Sequence, residues 1–202
     1  MESMALRKRL MMLGIGLLLL AAGLPVSYLA WPARTPPPVT IDSEAIRSLG
    51  QLQSHAGGSG SDWQGERWAL IFFGFTRCAD VCPATLSRMA SVLDSLGDQA
   101  EQIQPIFITL DPEQDTAEQL AAYISFFDER ILGLTGTQMQ VAAVAEAWGV
   151  YWRRVPVGGS YMLDHSTSLF LLRPDGQLAQ RFSGQQSGNE LVAELERLLA
   201  SF

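Results

Sequence analysis

The stretch Trp68-Ala69-Leu70-Ile71-Phe72-Phe73-Gly74-Phe75 contains no polar side chain apart from the indole of Trp68. A strand covered on both faces reads as such a run rather than as an alternation, and strands of that kind belong to parallel α/β sheets. After Thr76-Arg77 come the only two cysteines of the chain, in Cys78-Ala79-Asp80-Val81-Cys82-Pro83. Pro83–Leu96 then shows helical spacing, with Leu86, Met89, Ala90 and Leu93 on one side and Gly97 placed to end it. Proline suits the first helical position and disfavours helical geometry in the residue before it, so Cys82 is expected just outside the helix. A cysteine loop between a strand and a helix puts both sulfurs at a helix N-terminus, where unpaired N–H groups favour thiolate over thiol. Such a pair binds a soft metal, exchanges electrons as a dithiol/disulfide, or forms a structural bridge. Closing so short a loop removes little chain entropy, which weighs against a mere staple.

The rest of the pattern alternates strand and helix. Ile103–Leu110 reads as a second buried strand, and a helix follows from Asp115/Thr116 to Phe127, with Asp115 favoured as its cap. Thr137–Trp148 reads as another helix, and Met139, like Met89, is assigned to the core. Val150–Val155 is a candidate strand. Thr167–Arg173 is a strand turned by Pro174-Asp175-Gly176 onto Leu178–Phe182, and Asn189–Leu199 is a closing amphipathic helix. A βαβ unit, an antiparallel hairpin and a helix make a thioredoxin-like plan of the α/β class, with its sheet covered on both faces.

In that plan the first strand–helix junction is the reactive corner, and the loop entering Thr167–Arg173 faces it. His165 lies in that loop, in Tyr161-Met162-Leu163-Asp164-His165-Ser166, where a general disulfide oxidoreductase usually carries proline; no proline occurs between Val157 and Leu172. Two thiolates and one imidazole form a soft three-coordinate set that suits Cu(I) and accommodates Cu(II). Asp164 is a candidate for orienting the imidazole or balancing charge. Asp111, in Asp111-Pro112-Glu113-Gln114-Asp115-Thr116, follows the second strand at the edge where open α/β sheets gather ligands. Arg77 adds positive charge beside the thiols. His55, in a Gly/Ser-rich loop, reads as solvated. Met162, Trp148, Tyr151 and Trp152 read as packing residues around the site.

Ahead of the domain, Arg7-Lys8-Arg9 precedes Leu10–Ala30, which carries no charge. About 20 helical residues span roughly 30 Å, the hydrocarbon thickness of a bilayer. The basic flank puts the N-terminus in the cytoplasm and the domain outside, on the periplasmic side of an inner membrane. A cleaved signal peptide would have a shorter apolar core and a small-x-small site, and Leu29-Ala30-Trp31-Pro32-Ala33 offers a poor one. No cysteine follows the segment to carry a lipid. The expected division is 1–31 as basic tip and transmembrane anchor, 32–62 as a Pro-rich then Gly/Ser-rich linker, and 63–202 as the folded domain. An oxidising compartment turns an unprotected thiol pair into a disulfide, so a functional dithiol there needs a metal or a reductant. The net charge of −7 argues against nucleic acid as a partner.

From about Trp68 to Phe182 the chain resembles the SCO/SenC family of copper-binding proteins. Three motifs coincide in order: Phe73-Gly74-Phe75-Thr76-Arg77-Cys78-Ala79-Asp80-Val81-Cys82-Pro83, then Asp111–Thr116, then Tyr161–Ser166 leading to Pro174-Asp175-Gly176. The resemblance implies Cys78, Cys82 and His165 as copper ligands. It implies a role in supplying copper to, or reducing cysteines of, the binuclear copper centre of cytochrome c oxidase subunit II. A thioredoxin-like reductant or another copper chaperone would be a further partner. The competing reading is a thiol-disulfide reductase acting on an extracytoplasmic metalloprotein. A peroxide-reducing enzyme would need a different local motif around its cysteine. The chain departs from the family pattern at Ala79, where proline is usual, and at Arg77, where a histidine or another polar residue is common.

Overall fold

The computed structural model describes residues 41–201. The anchor expected over Leu10–Ala30 lies outside the described residues, among which no helix is long and apolar enough to cross a membrane. The second half of the expected linker is folded. Ser43–Ser48 forms helix α1, its N-terminus capped by the Asp42 carboxylate, which accepts from the N–H groups of Glu44 and Ala45. Ala45, Ile46, Leu49 and Leu52 are buried in the main core. Glycine and serine around residues 55–62 suggest a spacer, but the apolar spacing just before them is that of a packed helix. Within this region the two-residue strand β1, Gln53–Ser54, joins the sheet edge. His55 is half-buried rather than free in solvent: its Nδ1 accepts from the Gly133 N–H at 2.8 Å.

The central strand is β2, Trp68–Gly74, buried at every position. It pairs in parallel with β3, Ile103–Thr109, likewise buried throughout. β3 pairs in parallel with β4, Leu132–Thr135, a short strand that the sequence pattern does not announce. On its other side β2 pairs antiparallel with β7, Leu169–Leu172, which pairs antiparallel with β8, Leu178–Phe182. The six-stranded order is β1-β4-β3-β2-β7-β8. Helices α2 (Val81–Leu96), α3 (Ala117–Ile124), α4 (Gln138–Ala147) and α5 (Gly188–Leu199) connect and cover it.

Alternation along β2 sends Phe72 and Phe73 to opposite faces. Phe73 meets Trp148 and Phe170, with Phe170 edge-on to Trp148 at 5.4 Å. The Trp148 indole N–H donates to the Ala45 carbonyl at 2.9 Å, tying α1 to the end of α4. Phe72 stacks on Phe107 of β3, which contacts Tyr123 of α3. That second face carries the site.

Two expectations are corrected. Met139 is not core: it sits in the first turn of α4 with its side chain 80% exposed, and Val141, Val144 and Ala145 form the buried stripe. Val150–Val155 is displaced to β5, Trp152–Val157, which forms a separate two-stranded hairpin with β6, Ser160–His165. Gly158 and Gly159 make its two-residue turn with φ of 55° and 84°, the positive values such a tight hairpin turn requires.

Replacing Trp148 with Phe keeps much of the ring packing but strands a buried carbonyl at Ala45. The expected cost is about 1–3 kcal/mol, read from the urea midpoint at unchanged m-value.

Candidate metal-binding and thiol site

The loop after β2 is shaped by a buried carboxylate. Asp115 is inaccessible to solvent. It accepts from the Thr76 N–H at 3.0 Å, the Thr76 hydroxyl at 2.5 Å and the Thr109 hydroxyl at 2.6 Å. Burial raises its pKa, and the bonds from Thr109 and Thr76 oppose that rise. Asp115 is therefore not the cap of α3. Thr116 takes that place in a capping box with Gln119, and Asp115 joins the C-terminal ends of β2 and β3. Thr76 thus leads into the cysteine segment from a fixed point.

α2 begins at Val81, so Cys82 lies inside its first turn rather than before it. Pro83 then occupies a first-turn position whose N–H would have no intrahelical partner in any case, so the missing donor costs nothing. Its clash with the preceding residue disfavours helical backbone at Cys82 without forbidding it. Cys82 is wholly buried, with its sulfur against the end of β2. A Cβ built on Gly74 would lie 2.9 Å from that sulfur and 2.8 Å from the Phe107 ring, so only glycine admits the approach. Cys78 is part-buried, and its sulfur accepts from the Cys82 N–H at 3.4 Å. Both cysteines are free thiols.

His165 ends β6 and is a strand residue, not part of a loop. Its Nδ1 donates to the Ser166 carbonyl at 2.8 Å, which leaves Nε2 directed at the thiols, 3.6 Å from the Cys82 sulfur. Phe75 stands edge-on to the imidazole at 5.7 Å, and Phe72 lies 6.3 Å from it. Asp164 does not orient the ring. Successive strand residues point to opposite faces, and Asp164 pairs with Arg153 across the hairpin at 3.4 Å. The orienting group is a backbone carbonyl, which no side-chain pattern announces.

The pair of sulfurs holds one negative charge. The Cys78 pKa is pulled down to about 3, chiefly by the hydrogen bond from the Cys82 thiol; burial opposes this, and the His165 ring and the N–H groups of Cys82 and Asp80 add to it. The same bond, with burial and the Cys78 charge, pushes the Cys82 thiol far up. The asymmetry favours thiolate at Cys78 and thiol at Cys82.

Arg77 is turned away from this charge. Its guanidinium pairs with Asp111 at 2.8 Å and lies 4.8 Å from the Tyr161 ring centre, with Arg154 at 4.7 Å from the same ring. The Tyr161 hydroxyl donates to Asp111 at 2.8 Å. Asp111 is fully buried and fastens the β5–β6 hairpin, and with it His165, to the end of β3. Met162 packs against the core rim and Tyr151 is exposed.

Cys78, Cys82 and His165 are therefore neighbours without yet forming a closed ligand set: among the described residues no three His, Cys, Asp or Glu side chains stand as a ready metal cage. Cys82 and His165 face each other, and Cys78 is turned toward the helix N–H. A surface hollow of about 570 Å³, lined by Arg67, Glu101 and Arg130 among others, lies where β3 begins, at the other end of the sheet, and contains no thiol or imidazole.

A family model described as SCO1/SenC matches residues 50–200. The chain is 38% identical over 148 residues to the mitochondrial protein SCO2 homolog of Bos taurus, covering 70% of this chain and 54% of that one. It is 37% identical over 169 residues to the mitochondrial protein SCO1 homolog of Homo sapiens, covering 77% and 56%. It thus spans about half the length of these curated relatives. Among solved structures it resembles Bradyrhizobium japonicum ScoI with copper bound, at 35% identity and a TM-score of 0.66, covering 73% of this chain and 95% of that one. Yeast Sco1 with copper bound superposes with a TM-score of 0.68 at 30% identity, covering 75% and 86%.

The charge arrangement predicts a pH signature. An ordinary thiol loses roughly a thousandfold in alkylation rate between pH 8 and pH 5, as thiolate is protonated. With a pKa of about 3, Cys78 stays ionised across that range, so its iodoacetamide rate changes by less than about twofold. Peptide mapping should find Cys82 unmodified in the folded protein.

Proposed function

This chain belongs to the SCO1/SenC family, and we propose that it is a copper chaperone of the inner (cytoplasmic) membrane. Residues 1–31 are its anchor, and the thioredoxin-like domain works on the periplasmic side. It supports assembly of the binuclear copper centre of cytochrome c oxidase, and its partner is subunit II or a similar copper protein. A thioredoxin-like reductant or another copper chaperone keeps it supplied. Cys78, Cys82 and His165 hold the cargo.

The observation that carries this reading is the 3.6 Å between His165 Nε2 and the Cys82 sulfur. A metal about 2.3 Å from sulfur and about 2.0 Å from nitrogen fits that separation with a bond angle of roughly 114°, between the tetrahedral and trigonal values. Cys78, already a thiolate, supplies the third position after its side chain turns. The proton held by Cys82 leaves as copper arrives, because the thiolate and not the thiol is the ligand. Two thiolates and an imidazole favour Cu(I) and tolerate Cu(II). Transfer then proceeds by exchange: a partner's sulfur adds to the copper while His165 and then the cysteines let go.

A thiol-disulfide reductase is the second reading, supported by the Cys78 thiolate beside a proton-donating Cys82. The two readings part at His165, which only copper binding requires.

Reduced protein is expected to take up copper stoichiometrically. His165→Ala should weaken Cu(I) retention against a competing chelator by more than about 100-fold, beyond the 10–100-fold typical of losing a mere supporting group. Unchanged retention in His165→Ala, together with mixed disulfides trapped by Cys82→Ser, would transfer the assignment to the reductase.

A further inference from the structure

β8 ends at Phe182, which pairs with Leu169 of β7. Carrying that antiparallel register two residues further sets Gly184 across from Thr167, two residues after His165. The approach is closer than a side chain allows. A Cβ built on Gly184 would overlap the carbonyl oxygen and the hydroxyl of Thr167 and lie 2.7 Å from its Cβ. Gly184 does not have a positive φ, so it is the contact and not the backbone conformation that calls for glycine. The segment is a closed turn, with the Gln186 N–H donating to the Ser183 carbonyl at 3.1 Å. From α2, Arg88 Nη1 donates to the Gln186 carbonyl at 3.1 Å. The Arg88 Nε and Nη2 are buried with no hydrogen-bond partner among the described residues, a cost that the fold carries at this contact.

We infer that the turn Ser183–Gln186 is a backstop that sets where His165 stands relative to Cys82, with Gly184 as its positioning residue. The link is short. His165 Nδ1 donates to the Ser166 carbonyl. That carbonyl shares one rigid peptide plane with the nitrogen of Thr167, so a shift of Thr167 moves the acceptor that aims the imidazole. The Ser166 end of the plane is held by Tyr151. The Ser166 N–H donates to the Tyr151 carbonyl at 2.9 Å, and the Ser166 hydroxyl accepts from the Tyr151 N–H at 3.1 Å. The Thr167 end is held by Gly184. Arg88 fixes the turn from α2, whose first turn carries Cys82, so the imidazole and that sulfur are located from one helix. The consequence for copper rests on His165 being a ligand; the placement of the ring does not.

The test uses the full-length, reduced, metal-free protein and the ring-proton NMR signals of its two histidines. His165 lies beside Phe75 and Phe72, whose ring currents displace its signals according to distance. His55 lies where β1 meets β4, at the opposite edge of the sheet from β8, and serves as the internal reference. Gly184→Ala should displace the His165 signals and leave those of His55 in place. In the chelator competition it should weaken Cu(I) retention about 10-fold, the lower edge of what losing a supporting group costs. Arg88→Met releases the turn. Alone it should displace the His165 signals by less, which keeps the test available if Gly184→Ala does not fold. Combined with Gly184→Ala it should return part of the larger displacement, because the turn can then yield. Gln185→Ala, an exposed change in the same turn, should alter neither the signals nor copper retention. Thermal unfolding of each variant checks that the fold is intact. Unmoved His165 signals in Gly184→Ala, or in Arg88→Met where the former does not fold, overturn the backstop whatever His165→Ala does to copper. Displaced signals together with wild-type copper retention in His165→Ala uphold the backstop and overturn the copper reading.

Discussion

The Asp115 carboxylate sits where water cannot reach it, and it is tolerable there because donors from Thr76 and Thr109 converge on it. Its backbone carbonyl also accepts from the Thr135 hydroxyl, so the ends of β2, β3 and β4 meet at one residue. A buried, fully bonded acceptor of this kind has few alternative arrangements, because each donor it lost would leave a polar atom unsatisfied. Everything downstream inherits that rigidity. The chain leaves β2 at a set height and enters α2 at Val81, which lays Cys82 against Gly74 and turns Cys78 toward the helix N-terminus. The thiolate at Cys78 is a consequence of that placement. It has a thiol, a ring and two N–H groups around it, and no neighbouring arginine is required.

The imidazole reaches the same place by an independent route. The β5–β6 hairpin is not part of the main sheet, so its position depends on side chains rather than on a ladder. Asp111, Tyr161, Arg77 and Arg154 hold it through one buried carboxylate, one hydroxyl and two stacked guanidinium groups. The cysteines are thus carried by the rigid part of the fold and the histidine by an appended strap.

Much of this was legible in the residues before any coordinates. The apolar run at Trp68–Gly74 and the helical spacings that follow it are local signals, and they set out β2, α2, α3 and the βαβ layout. The errors share a physical origin. Met139 was assigned to the core and Asp115 to a cap because helical spacing and capping preference are judged along the chain, whereas burial is decided by what packs on top. Gly158-Gly159 between alternating residues is a hairpin signal that places His165 at a strand end with Asp164 facing the other way. Arg77 was placed beside the thiols by adjacency alone; its long side chain instead reaches Asp111.

By itself the sequence determined which atoms are available: two thiols four positions apart after a buried strand, one distant histidine, and a glycine at the strand's end. It determined the α/β class too, because hydrophobic periodicity is a property of neighbouring residues. Only the tertiary structure decided that His165 faces Cys82 at 3.6 Å, that Cys78 is the more accessible sulfur and accepts from the Cys82 N–H, and that Arg77 serves the hairpin instead of the sulfurs. Those outcomes depend on distance, burial and hydrogen-bond partners between segments far apart in the chain, and such quantities do not exist until the segments meet.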